Sequence, residues 1–318
     1  MKKIKYIVIL LLAIPFLLYA ILYKKDFEVK PLIEKYKNPA SKWVKIDGMD
    51  VHYRDEGQGK PILLIHGTGS CLQTWDIWTK GLRDSFRVIR LDMPGFALTG
   101  PRPDGDYSIA MYSAFLDKFV SNIQLDSFYL GGNSLGGEIA WHYATQYPQK
   151  VKKLVLVDPG GFHNPDKGFS LIFKIGTEYP KIAEIFSRLD SKMMVKNTLK
   201  ECYYNDSKIT QEDINMYYDL SMREGNRKAF SDRLKMIGKE KMPSVSGVKA
   251  PTLLLWGDKD QLIDISMADS FSTIPIMKKI IYKNVGHMPH TEVADQSLGD
   301  VMSFLTTTNQ TTRISSYI

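Results

Sequence analysis

The chain has 318 residues, 44% of them hydrophobic and 24% charged, which excludes a disordered chain, a collagen-like repeat and a disulfide scaffold. Its net charge of +7 sits at one end, because residues 1–45 hold ten Lys against Asp26, Glu28 and Glu34 and the remainder is neutral. The surplus flanks an apolar run and forms no patch on a folded domain, so it argues against nucleic acid and for an anionic membrane surface.

Lys2, Lys3 and Lys5 precede an uncharged run over residues 6–23, closed by Lys24 and Lys25. As a helix at about 1.5 Å per residue, that run reaches roughly 27 Å, enough to span a bilayer. A cleaved signal would need small residues near its exit, and Leu18, Tyr19, Ala20 and Ile21 offer one. Residues 1–25 are therefore expected to be an uncleaved single-pass anchor. The dense positive charge of residues 1–5 resists translocation, which places the main domain on the non-cytoplasmic side. Residues 26–40, with Pro31 and Pro39 as breakers, read as a linker.

Folding is expected to begin at residue 41, where Val44, Ile46, Met49, Val51 and Tyr53 nearly alternate around Asp47-Gly48, a hairpin signature. Short apolar runs without alternation follow at 62–65, 88–91, 128–130, 154–157, 252–256 and 279–282, as strands buried on both faces require. Helix-like stretches at 108–123 and 135–147 lie between them, so the fold class is α/β, a mostly parallel sheet flanked by helices. Residues 161–248 break the alternation with five helical stretches, at 169–175, 179–189, 192–204, 211–223 and 227–238. Such an insertion is expected to cap the sheet, dividing the core into residues 41–160 and 249–318.

Gly132-Asn133-Ser134-Leu135-Gly136 follows one strand and opens a helix, in the pattern G-x-S-x-G. Glycines are needed there because the turn is tight, and the serine is pushed to a helix N-terminus where backbone N–H groups can hold a developing oxyanion. A serine needs a base, and the base an orienting acid. His287, at a strand end after Gly286, is the expected base, with His290 as its rival; His52, His142 and His163 are expected to be structural. In Gly257-Asp258-Lys259-Asp260, after another strand, Asp260 is the expected acid, ahead of Asp258 and Asp158. The loop His66-Gly67-Thr68-Gly69-Ser70 supplies a second N–H, from Thr68 or else Gly69, to converge with that of Leu135, while His66 organises the loop. Cys71 and Cys202 have no metal-ligand or disulfide spacing and are expected to be packing residues.

With these residues the chain resembles the α/β-hydrolase superfamily, in its cap-bearing branch, over residues 43–306. The resemblance rests on His66-Gly67, Leu91-Asp92-Met93-Pro94-Gly95-Phe96, the turn at Ser134, residues 154–159, Gly257 with Asp260, and Gly286-His287. It implies a Ser134–His287–Asp260 mechanism without cofactor or metal. A serine at position 134 separates the chain from the dehalogenase and epoxide hydrolase branches, and Ala97 stands where relatives often have Gly or a small polar residue. The expected substrates are carboxylic esters, including lipophilic acyl esters or monoacylglycerol-like lipids. Met193, Met194, Tyr203, Tyr204, Met216, Tyr217, Tyr218, Met222 and Met236 could line an acyl pocket or simply form helix core. A carbon–carbon hydrolase of ring-fission products and a ligand sensor retaining the fold are the alternatives.

Overall fold

The computed structural model describes residues 14, 17–162, 171–238 and 243–307. Most of the expected anchor, and His163, lie outside them. Among the described residues no helix is long and apolar enough to cross a membrane.

Eight strands form one sheet: β1 (Ser41–Ile46), β2 (Met49–Glu56), β3 (Lys60–Ile65), β4 (Phe86–Leu91), β5 (Phe128–Asn133), β6 (Val151–Val157), β7 (Thr252–Gly257) and β8 (Met277–Tyr282). Their order is β1-β2-β4-β3-β5-β6-β7-β8. β1 and β2 make the expected hairpin, with Asp47 at φ 49° and Gly48 at φ 79°, the left-handed pair a two-residue turn needs. β2 also runs antiparallel to β4, and the pairs from β4 to β8 are parallel. β5 and β7 are buried along their whole length, as strands covered on both faces must be.

Alternate residues of the central strands feed two cores. Leu63, Ile65, Ile89 and Leu91 pack with Phe115 and Phe119 on one face, and Ile62, Leu64 and Val88 pack with Trp75, Trp78, Val301 and Leu305 on the other. β4 and β5 flank β3 on opposite sides, so the chain reverses direction across the sheet there, and the loop after β3 opens beside the loop after β5. Ligands bind at such crevices in open α/β sheets.

Residues 26–40 depart from the linker expectation. They contain helix α1 (Val29–Tyr36), whose Leu32 is buried with Cys71, Ala97, Leu98 and Leu220. Pro31 falls in the first turn, where no intrahelical N–H bond is lost. Further along lie α2 (Asp76–Leu82), α3 (Ile109–Asn122) and α4 (Leu135–Gln146). Between β6 and β7 the described chain is helical: α5 (Leu171–Glu178), α6 (Pro180–Phe186), α7 (Lys192–Cys202), α8 (Gln211–Ser221) and α9 (Asn226–Leu234). The short α10 (Pro289–Glu292) and α11 (Ala294–Thr306) close the described chain.

Candidate active site

Ser134 caps α4 with φ 55° and ψ −120°, a conformation that costs a non-glycine residue about 1–3 kcal/mol. Its surroundings hold it there. Its N–H donates to Val157 O at 3.1 Å, and its carbonyl accepts from the N–H groups of Glu138 and Gly160. A Cβ at Gly132 would lie 2.2 Å from Gly136 O, and one at Gly136 would lie 2.2 Å from Ile65 O, so both positions exclude side chains.

His287 and Asp260 meet. His287 Nδ1 lies 2.6 Å from Asp260 Oδ2, while Asp260 Oδ1 accepts from the N–H groups of Leu262 and Ile263 at 2.7 and 2.9 Å. These three bonds fix the carboxylate and leave the other ring nitrogen of His287 for the cavity side. The Asn133 amide donates to the carbonyl of His287, and His287 N–H donates to Cys202 O, so β5 and α7 both hold the histidine loop. Among the described residues no hydrogen bond joins the Ser134 hydroxyl to His287, a looseness common before substrate binds.

The rival residues lie elsewhere or act differently. His290 is fully buried, its ring tilted against Trp75 and its Nε2 2.9 Å from Thr74 Oγ1, and burial pushes its pKa down to about 3. His52 pairs with buried Asp92 at 2.7 Å, and burial pushes His142 down to about 4. Asp258 turns its loop by accepting from Asn284 N–H. Asp158 accepts from Gly257 N–H at 2.9 Å and sits beside Asp260; burial and that neighbouring charge push its carboxyl well above the usual range. That direction favours the protonated acid beside the Asp260 carboxylate. Asp158, Asp260 and His287 converge within 4.8 Å, but the bonds already made by Asp260 suit proton handling better than a cation cage.

His66 is fully buried, accepts Met93 N–H at Nε2 and donates from Nδ1 to Gly67 O, so it is a neutral organiser of the loop after β3. Thr68 and Gly69 from that loop line one cavity with Ser134 and His287. Leu135 is the first residue of α4, its N–H at the helix N-terminus. A serine hydroxyl and an imidazole held by a carboxylate, on one cavity beside a helix N-terminus, are the parts that acyl transfer needs.

The cavity has a volume of about 180 Å³, and its wall is mostly apolar, with Phe96, Val195, Leu199, Leu220, Phe230 and Met288. Of the Met and Tyr residues singled out in the sequence, Met194 and Tyr217 line it; Met222 is wholly buried and Met193 is 77% exposed. Tyr217 lies 3.2 Å from Ser70 Oγ, so α8 touches the loop after β3, a contact with no sequence signal. Arg227 also lines the cavity and is bound to Asp26 Oδ1 at 2.6 Å and to the carbonyls of Lys24 and Leu189. Nothing in the sequence spacing links residues two hundred apart. Ala97 has φ 43°, which explains why glycine suits that position. Cys71 and Cys202 are both free and buried, and burial raises both thiols.

Residues 60–188 match the family model described as alpha/beta hydrolase fold. The 2-hydroxy-6-oxononadienedioate/2-hydroxy-6-oxononatrienedioate hydrolase of Comamonas testosteroni is 24% identical over 82% of this chain and 95% of its own. The monoacylglycerol lipase ABHD6 of Homo sapiens is 26% identical over 85% of this chain and 86% of its own. Among solved structures, a protein assigned as a lipase in Acinetobacter baumannii AYE is 27% identical, covers 89% of this chain and 97% of its own, and superimposes with a TM-score of 0.74. The eight-stranded, mostly parallel sheet with helices on both faces, and these relatives, establish that the chain has the α/β-hydrolase fold.

Proposed function

We propose that the chain is a membrane-anchored serine hydrolase of carboxylic esters. Ser134 is the nucleophile, His287 the general base, Asp260 its orienting acid, and the N–H groups of Leu135 and Thr68 the oxyanion hole. The observation that carries this reading is the 2.6 Å pairing of His287 with Asp260 on the cavity that also exposes Ser134. His287 takes the hydroxyl proton as Ser134 Oγ attacks the ester carbonyl, and the oxyanion forms against the two N–H groups. His287 then returns the proton to the departing alcohol, leaving an acyl-serine that water cleaves by the same steps.

The described part of residues 161–248 caps this site, with lining residues from Ser187 to Phe230, and the apolar wall suits an acyl chain. Among the described lining residues Arg227 is the one permanently charged side chain, and Asp26 already neutralises it. A dicarboxylate ring-fission product would need a free cation there, so the ester reading is preferred to carbon–carbon cleavage. Residues 1–25 anchor the protein with residues 1–5 on the cytoplasmic side, a reading supported by the dense positive charge of residues 1–5. A panel of short and long acyl esters, a monoacylglycerol and a ring-fission diketone tests the assignment. Repeated turnover of esters is expected; turnover of the diketone alone, or a single turnover of everything, would contradict it.

A further inference from the structure

Helix α6 has no buried residue. Its Ile182, Ile185 and Phe186, with Tyr179 just ahead of it, are 45–55% exposed. They recur at the three- and four-residue spacing that ordinarily seats a helix on a core. Across the next turn Met193 and Met194 are 77% and 40% exposed, so six large apolar side chains are exposed within sixteen residues of chain, more than singly scattered surface residues would give.

The N-terminal segment arrives at this same turn. Tyr23 bridges to Leu189, Lys24 N–H donates to Arg188 O at 3.0 Å, and Asp190 N–H donates to Leu22 O at 2.8 Å. Residues 17–22 are helical, and their Leu17, Leu18, Ile21 and Leu22 are 47–68% exposed. Exposed Lys24, Lys25, Lys181, Arg188, Lys192 and Lys196 outnumber exposed Glu28, Glu178, Glu184 and Asp190 around the turn, a rim suited to anionic headgroups. The turn is also a cavity wall, through Ser187, Ser191, Met194 and Val195.

We infer that the face formed by Tyr179, α6, Met193 and Met194 docks into the lipid bilayer that holds residues 6–23, and that lipophilic substrate enters the cavity from the acyl layer between α6 and α7. The inference rests on the anchor reading. Three features on one turn favour lipid over a second copy of the chain: the continuous apolar run ahead of it, the basic rim and the cavity behind it. Residues 188–190 set the depth, because their backbone is bonded to the end of the anchor.

The full chain carrying Phe186→Cys, labelled with a bimane, is reconstituted in vesicles of equal parts phosphatidylcholine and phosphatidylglycerol. Cys71 and Cys202 are buried, so the label goes to position 186. Quenching by acyl-chain doxyl lipids and protection from aqueous iodide are expected. Co-flotation with vesicles without doxyl quenching overturns the docking and leaves the anchor standing, and the same holds if the label is shielded because two copies associate. Failure to float overturns both. The triple variant Ile182→Ser, Ile185→Ser and Phe186→Ser should turn over a long-chain monoacylglycerol in vesicles about tenfold more slowly than the parent, and a soluble short-chain ester at the parent's rate. Equal loss on both substrates would place these residues in the fold and contradict a docking role, whereas inactivity of the parent on every ester would sink the esterase reading and leave the label to decide the docking.

Discussion

A chain that starts at Pro39 loses the clamp between the N-terminal segment and the helical insertion, whereas one that starts at Leu22 keeps it. The shorter chain forfeits the burial of Leu32, now 5% exposed, worth about 2 kcal/mol. It also removes Asp26 and the Lys24 carbonyl from Arg227, leaving a guanidinium whose side chain is 7% exposed with Leu189 O as its remaining acceptor. Stranding such a charge costs about 2–3 kcal/mol. The Lys35–Asp219 pair, exposed at its lysine, adds little. The combined loss of about 4 kcal/mol is a large share of the roughly 5–15 kcal/mol that holds a domain together. At about 2–4 °C per kcal/mol the melting temperature should fall by about 10 °C. Circular dichroism melts of the two chains, under one buffer condition, read this directly. A difference smaller than about 2 °C would show that the clamp contributes nothing to stability. Arg227 and Leu220 line the cavity, so ester turnover should fall with the melting temperature.

Asp158→Asn replaces a carboxyl whose neutral form burial and Asp260 favour, so it should cost less than about tenfold in kcat, whereas Asp260→Asn should cost about 10³-fold or more; comparable losses would mean that both groups orient His287. Unfolded histidine takes a proton near pH 6.5, but in the fold His290 and His142 resist protonation down to about 3 and about 4. Their folded values lie below the unfolded one, so the stability they contribute is complete above about pH 6.5 and drains towards pH 4 at about 1.4 kcal/mol per unit for each. His290→Asn should flatten the fall of melting temperature across that window, and an unchanged slope would show that His290 is protonated in the fold. Gly136→Ala drives a Cβ to 2.2 Å from Ile65 O, so the purified variant should show no native cooperative melt or a sharply lowered one; a parent-like melt would mean that β3 can shift away.

The sheet was legible because its strands carry short, unbroken apolar runs, and the hairpin because Asp47-Gly48 meets a two-residue turn's demand for positive φ. The strand–turn–helix around Ser134 was legible for the same local reason, since its glycines answer to atoms within a few residues or on the neighbouring strand. The pairing of His287 with Asp260 could be anticipated because both follow strand ends on one edge of a parallel sheet. Residues 26–40 were misread because Pro31 and the charges of α1 resemble a linker until Leu32 finds its partners nearly forty residues or more away in sequence. The cavity wall escaped for a related reason. Met and Tyr counts in the insertion do not say which helix face turns inward, and Val195, Leu199 and Phe230 carry no chemical signature.

The central claim is that Ser134 is the nucleophile of an ester hydrolase. A fluorophosphonate probe applied to the folded, ester-cleaving full chain, followed by tryptic mass spectrometry, tests it most directly. A single adduct on Ser134 is expected, forming in step with loss of activity and prevented by His287→Ala. An adduct on any other residue, or full loss of activity without an adduct on Ser134, would contradict it.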